Sequence, residues 1–80
     1  MMQAKIWFDL DNEDFIRYPN MQIGSIAKQI RDAILNHTIQ EPVNSTGIES
    51  DEIDTRYEAF NAPLHDDNGN IIGEVKVEKD

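Results

Sequence analysis

The sequence contains no cysteine among its 80 residues, which excludes disulfide bonds and thiolate metal sites. Stability must therefore come from packing, and a chain of this length buries only roughly 60–65% of the surface that its unfolded form exposes. It also lacks the continuous apolar segment of a signal peptide or a membrane span. We expect one domain over residues 1–80, with a thin core, in the cytoplasm.

Basic residues are scarce as well. Seven Lys and Arg stand against sixteen Asp and Glu, which gives a net charge of −9. Such a charge disfavours direct binding to nucleic acid or to an anionic membrane, and it favours a basic partner. Residues 1–40 carry five acidic and four basic residues, whereas residues 41–80 carry eleven and three. The second half is therefore expected to supply most of the acidic surface.

Motifs for catalysis, cofactor binding and metal binding are missing. His37 and His65 have no neighbouring ligands at metal-site spacing, and the four glycines are too scattered for a phosphate-binding loop. Runs of alternate acidic or amide residues begin at Asp9 and Asp66, but neither has the Gly and Glu that a calcium loop needs at its sixth and twelfth positions. We expect a protein that is not an enzyme and that binds no cofactor or metal.

The patterns that are present predict an α+β fold. Apolar and polar residues alternate from Ala4 to Asp11, which is the period of a half-buried strand. From Asn20 to His37 the isoleucines recur at the spacing of a one-sided helix, with Asn20 or Ser25 as its N-cap. Between these two elements, residues 15–18 are predicted to form a short returning strand that Pro19 ends. The outer helix positions are predicted to be Gln22, Ser25, Lys28, Gln29, Arg31, Asp32 and Asn36.

The last third of the chain predicts a hairpin, because Asn68-Gly69 is the preferred pair for a two-residue type I′ turn. Pairing outward from this turn sets Leu64 opposite Gly73 and collects one apolar face: Phe60, Ala62, Leu64, Ile71, Val75 and Val77. Pro63 cannot donate to a ladder, which places its strand at an edge and residues 71–77 at the centre. The expected fold is one helix packed on a three- to four-stranded, mainly antiparallel sheet in the order β(β)αββ.

Periodicity disappears over residues 38–54, which are predicted to form an acidic loop within the domain. A connection this long in so small a domain is either a binding element or a connector, and the sequence leaves both open. Trp7 likewise either packs under a loop or stands exposed as a contact residue. Charge changes in residues 51–54 are expected to weaken partner binding most, and changes at Lys28 or Arg31 least.

The acidic residues could present a field like that of a nucleic-acid backbone to a basic groove, which would steer association with basic partners. The alternative is that the charge serves only solubility. The candidate partner-binding residues are Trp7, Asp9, Asp11, Glu13, Asp14, Glu49, Asp51, Glu52, Asp54, Asp66 and Asp67.

In size, acidity, absence of cysteine and strand, helix, strand, strand order, the chain resembles small phage-encoded inhibitors of host defence, among them anti-CRISPR proteins and DNA mimics. The resemblance covers the whole chain and carries no diagnostic motif. It implies a non-enzymatic inhibitor in the host cytoplasm that occupies a basic surface of a nucleic-acid-binding complex. The alternative function is a small assembly module, a homodimer or adaptor that uses an exposed sheet edge or the Trp7 face.

Overall fold

A computed structural model describes residues 1–42 and 53–79. Its elements are β1 (Met2–Phe8), α1 (Glu13–Arg17), α2 (Pro19–Asn36), β2 (Thr38–Pro42), β3 (Ile53–Tyr57), β4 (Phe60–His65) and β5 (Ile71–Lys79). β1, β5 and β4 form an antiparallel sheet in that order, and β2 pairs with β3 in a separate two-stranded ribbon. The predicted α+β class, with one main helix and mainly antiparallel strands, is confirmed.

The central strand is β5, as the position of Pro63 on an edge strand predicted. Phe8 of β1 lies opposite Gly73 from one side, and Leu64 of β4 lies opposite it from the other. The predicted pairing of Phe60 with Val77 is also present. The core contains Ile26 of α2 and, from the sheet, Leu64 and Val75, while Val77 is also buried. The alternation of the hairpin strands therefore sets the register over most of their length.

The predicted register is wrong between Gly73 and the turn that precedes β5. His65 pairs with Ile71 instead of Ile72, so Ile72 is an extra residue in β5 and forms a β-bulge. Bulges re-aim side chains, and this one directs Ile72 into the core, where it is 6% exposed, while Ile71 is 68% exposed. The predicted place of Ile71 on the apolar face is therefore wrong.

The shift originates in the turn between β4 and β5. The N–H of Asp66 donates to the carbonyl of Asn70 (3.0 Å), and the N–H of Gly69 donates to the carbonyl of Asp66 (3.1 Å). Gly69 has a φ of 83°, but no non-glycine residue in the described ranges has a positive φ. A type I′ turn needs a positive φ at both central residues, so Asn68-Gly69 does not form one. Three residues, 67 to 69, lie between the paired Asp66 and Asn70, instead of the predicted two. This additional residue shifts the register next to the turn.

Residues 15–18 are helical instead of extended, which corrects the predicted returning strand. Asn12 is the N-cap of α1, and its side-chain oxygen accepts from the N–H of Phe15 at 3.0 Å. Glu13 and Asp14 occupy the first turn, where acidic residues are favourable to the helix dipole. Phe15 is buried and stacks on Phe8 with ring centroids 5.7 Å apart. α1 therefore covers the end of the core next to β1.

α2 begins at Pro19, not after a cap at Asn20, and ends at Asn36, within one residue of the predicted end at His37. Proline suits the first helical position because its missing N–H has no partner there. The buried stripe is rotated from the predicted one, since Gln22 is 1% exposed and Ile23 is 53% exposed. The prediction that Gln22 and Gln29 face solvent is wrong, because Gln29 is also half-buried.

Gln29 fastens α2 to the outer edge of β4. Its side-chain Nε2 donates to the carbonyl of His65 at 2.9 Å, and its Oε1 accepts from the N–H of His65 at 2.8 Å. An amide side chain thus pairs with an edge strand as another strand would. Gln22 makes a second link, with its Nε2 donating to Asp67 Oδ2 at 2.5 Å. The helix is held to the hairpin by polar contacts as well as by its apolar stripe.

The ribbon of β2 and β3 corrects the predicted loop over residues 38–54, because both ends of that segment are strands. Its base lies beside the C-terminal end of α2, where the N–H of Glu58 donates to the carbonyl of His37 at 3.1 Å. His37 caps the helix by donating from Nδ1 to the carbonyl of Ala33 (2.9 Å). Its ring stacks on the ring of Phe60, with the two centroids 4.1 Å apart. The part of the predicted loop that contains Glu49, Asp51 and Glu52 lies outside the described residues.

Substitution of Gly73 tests the close approach of β1 and β5. A Cβ at this position would lie 2.6 Å from the Cβ and 2.7 Å from the Cα of Phe8, and in contact with the carbonyl oxygen of Trp7. Gly73→Ala is therefore expected to lower the free energy of unfolding by about 2–4 kcal/mol in urea titrations. Gly24→Ala is the control: no atom lies within 4 Å of its added Cβ, and a gain of about 0.5–1 kcal/mol is expected. Equal stability of Gly73→Ala and wild type would contradict the packing.

Substitution of Gln29 tests the link between α2 and β4. Gln29→Ala removes both partners of the His65 backbone, and we expect a loss of about 1–2 kcal/mol in the free energy of unfolding. The neighbouring exposed Lys28 serves as the control, and Lys28→Ala is expected to change stability by less than about 0.5 kcal/mol. If the two variants unfold at the same urea concentration, Gln29 does not hold the edge.

Candidate docking site at one end of the sheet

Two connections meet at one end of the three-stranded sheet. β1 runs antiparallel to β5, so the residues that follow Phe8 lie beside those that precede Gly73. The N–H of Asp9 donates to the carbonyl of Ile72 at 2.8 Å, which extends the ladder past the end of β1. The β1–α1 connection and the β4–β5 turn are therefore neighbours.

Six of the predicted partner-binding residues lie on these connections and on the first turn of α1. We refer to them as the acidic pole: Asp9, Asp11, Glu13, Asp14, Asp66 and Asp67. Over residues 9–18 and 65–71 the only Lys or Arg is Arg17, and it is paired with Glu13 at 2.8 Å. Several like charges on one surface produce a field that reaches roughly 8 Å into physiological salt. The pole can therefore attract a basic surface.

Large apolar side chains stand exposed at the same end. They are 56% to 71% exposed and comprise Trp7, Leu10, Ile16, Tyr18, Met21 and Ile71. Interfaces combine apolar or aromatic contact residues with a polar rim. This end of the molecule has both components, which the carboxylate pattern alone did not indicate.

Trp7 lies on the sheet face opposite the core. It pairs with Glu74, whereas the adjacent Phe8 points the other way and packs against the core cluster. Of the two alternatives left open for Trp7, the exposed one is found, since the residue is 56% exposed. Trp7 therefore borders the acidic pole without lying in it.

The main role of the Asp66 carboxylate is to stabilise the turn, because both of its oxygens accept hydrogen bonds within it. Its Oδ1 accepts from the N–H groups of Asn68 (2.9 Å) and Asn70 (2.8 Å), and its Oδ2 accepts from Asn70 Nδ2 (3.3 Å). Desolvation raises the pKa of Asp66, but these hydrogen bonds and the nearby His65 together outweigh it and lower the pKa below its usual value. The ionised carboxylate thus holds the three-residue connection in place.

Gln22 supports the pole from beneath. It donates to Asp67, and its own Oε1 is buried with no hydrogen-bond partner in the described part of the chain. Sequence reasoning missed this residue, because a polar glutamine next to the isoleucine stripe of a helix has the pattern of a surface position. Its burial follows from the rotation of α2 toward the hairpin.

Of the remaining predicted carboxylates, the structure describes Asp54 alone, and it does not lie at the pole. Asp54 is on β3, in the ribbon whose base adjoins Phe60 at the opposite end of the sheet. In the ribbon Arg56 pairs with Glu41 at 3.1 Å. Glu49, Asp51 and Glu52 fall outside the described ranges. Among the described candidate carboxylates, Asp54 alone lies apart from the acidic pole.

A cavity of about 290 Å³ lies near the base of the ribbon. Its lining is Met2, Gln3, Ala4, Ile34, Tyr57 and Val77, which includes no carboxylate, histidine or lysine for proton transfer. Within residues 1–42 and 53–79 no three metal-binding side chains converge. Over the same ranges no helix is both long enough and apolar enough to cross a membrane.

Comparison with known proteins returned no match: no protein-family model, no curated protein sequence and no solved structure is similar to the chain. The geometry of the acidic pole and its apolar neighbours is therefore the basis for the functional argument.

The acid limb of the stability profile tests the role of Asp66. Because folding lowers the pKa of this carboxyl, its contribution to stability is present above the usual value of 3.8 and is lost as the pH falls through the folded-state pKa. Asp66→Asn is therefore expected to unfold at lower urea than wild type at pH 7, with the difference shrinking below the usual Asp pKa. Asp11→Asn, at an exposed position in the other connection, is the control. A difference for Asp66→Asn that is independent of pH would contradict the assignment.

Proposed function

We propose that this protein is a non-enzymatic inhibitor that docks its acidic pole on a basic, nucleic-acid-binding surface of a larger protein and blocks that surface by occupancy. The observation that supports this most is the convergence of two connections, which places six carboxylates at one end of the sheet. A basic groove that binds phosphates would attract this end ahead of the rest of the molecule.

The pole is preorganised for such binding. Asn12 caps α1 beneath one group of carboxylates, and the hydrogen bonds of Asp66 fix the turn that carries the other. Asp9 joins the two connections through its backbone bond to Ile72. Contacts that are ordered before association lose less conformational entropy when they form. The carboxylates can therefore act together.

The exposed apolar residues would add specificity at short range. Single-stranded nucleic acids present bases to the aromatic and apolar platforms of their proteins as well as phosphates to basic residues. Trp7 and Tyr18, each 56% exposed, supply rings beside the carboxylates and would occupy such platforms. The proposed partner surface thus combines basic and apolar components. Occupancy of a basic surface is also what the resemblance to DNA mimics and anti-CRISPR proteins implies.

A displacement assay tests the proposal. Basic nucleic-acid-binding proteins are captured from a host lysate on the immobilised protein at low salt, and release of a labelled oligonucleotide from each captured protein is then measured. Displacement is expected, and it should weaken about tenfold or more as salt rises from about 0.05 M to about 0.5 M, because screening removes the steering attraction.

Three neutralised variants locate the contact. Asp9→Asn, Asp11→Asn and Glu13→Gln together should raise the half-displacing concentration roughly 10- to 100-fold, because the pole loses half its carboxylates. Asp32→Asn, Glu41→Gln and Glu58→Gln remove the same charge outside every predicted contact and should leave it within about threefold. Asp51→Asn, Glu52→Gln and Asp54→Asn separately test the contact that the sequence predicts for residues 51–54.

Displacement that is insensitive to salt would exclude electrostatic docking. A pole variant that displaces the oligonucleotide as well as wild type would exclude the acidic pole as the contact. A capture experiment that yields no nucleic-acid-binding protein would remove the proposed class of partner.

A further inference from the structure

The two outer edges of the three-stranded sheet differ in their hydrogen-bonding capacity. On β4, Gln29 occupies the outward N–H and carbonyl of His65. Backbone groups in an antiparallel ladder alternate in direction, so Pro63 also faces outward and has no N–H to donate. Proline and a covering side chain are two means by which proteins protect a sheet edge. The β4 edge is therefore largely closed to another strand.

The β1 edge is open. The N–H of Asp9 donates inward to Ile72, so the same alternation turns the backbones of Gln3, Lys5 and Trp7 toward β5. The N–H and carbonyl groups of Ala4, Ile6 and Phe8 then point out of the sheet. No other described element pairs with β1 on this side. A seven-residue strand with unpaired backbone groups is a template for strand addition.

We propose that β1 pairs in antiparallel fashion with β1 of a second copy of this chain and joins two three-stranded sheets into one of six strands. In such a pair, a residue whose backbone groups point out of the sheet must lie opposite a residue of the second copy whose backbone groups also point outward. Few registers of the two β1 strands meet this condition. An axis at Lys5 would set two lysines directly opposite each other, which is unfavourable.

An axis at Trp7 is self-complementary. It sets Lys5 opposite Asp9 of the partner subunit, and the two Trp7 rings opposite each other on the same face. On the core-side face it sets Ile6 opposite the partner subunit's Phe8. Ile6 and Trp7 are 43% and 56% exposed in the single chain, so this register covers apolar side chains on both faces of the sheet. Among the axes at Lys5, Ile6 and Trp7, the one at Trp7 alone sets Lys5 opposite a carboxylate, so charge favours this axis.

The net charge makes the dimer distinguishable from the proposed docking. Each copy carries a charge of −9, so the two copies repel each other at low ionic strength, and salt screens this repulsion. Dimerisation should strengthen with salt, whereas docking on a basic partner should weaken. The dimer depends on the edge of β1. Trp7 and Asp9 take part in both proposed contacts, but the opposite salt dependence of the two lets either proposal fail alone.

Sedimentation of the full chain at several concentrations tests the edge. We expect a dimer whose association increases several-fold as salt rises from about 0.05 M to about 0.5 M. Ala4→Pro removes an outward N–H without breaking the pairing of β1 with β5, and it should weaken the dimer about tenfold or more. Asn61→Pro makes the same change at an outward position of β4 and should leave the dimer unchanged. Circular dichroism confirms that both variants fold.

A charge exchange tests the register. Lys5→Asp sets aspartates opposite Asp9 and should weaken the dimer. Asp9→Lys should weaken it also, because lysines then face Lys5, although this change reduces the net charge that repels the two copies. The double variant restores opposite charges and should dimerise as wild type does.

A wild-type chain that stays monomeric at high salt overturns the proposal, even if an extended peptide binds the β1 edge. Unchanged dimerisation of Ala4→Pro overturns it as well. A double variant that dimerises no better than Asp9→Lys would exclude the register centred on Trp7, because net charge alone would favour Asp9→Lys over the double variant.

Discussion

The contact on which the rest of this structure depends is the meeting of three strands at Gly73. Phe8 and Leu64 lie opposite this residue from the two sides, and a single added carbon would overlap the backbone of β1. The close approach brings the end of β1 against the beginning of β5. As a result, the connection that follows β1 and the turn that precedes β5 become neighbours, which builds the acidic pole.

Much of the sheet could be predicted from local patterns. Alternation of apolar residues identified β1, and Pro63 identified the edge strand and so the central one. The turn could not be predicted from its most characteristic pair, because the Asp66 carboxylate binds the N–H groups of Asn68 and Asn70 and favours a longer connection. α1 has only five residues, too few for a periodic signal, although Asn12 followed by two acidic residues is an N-terminal helix signal.

The candidate site was predictable in part for a topological reason. Antiparallel neighbours bring their connections to shared ends of a sheet, so Asp9 and Asp66 could be expected to lie close together once the order of strands was predicted. The burial of Gln22 could not be predicted, because it depends on how α2 rotates against the hairpin, and the exposure of Ile71 could not, because it depends on the β-bulge. Asp54 was assigned to the same surface because the ribbon was interpreted as a loop.

The distribution of charge and hydrogen-bonding groups gives the molecule one acidic end and one open edge. The most direct test of the acidic end is to map the site at which an oligocation binds. An oligolysine peptide is titrated into the isotopically labelled protein, and the changes in backbone amide chemical shifts locate the binding site. The account predicts that the largest shifts fall in residues 9–14 and 66–68 and fade as salt is added. Largest shifts in residues 38–41 and 54–58, or equal shifts along the chain, would contradict it.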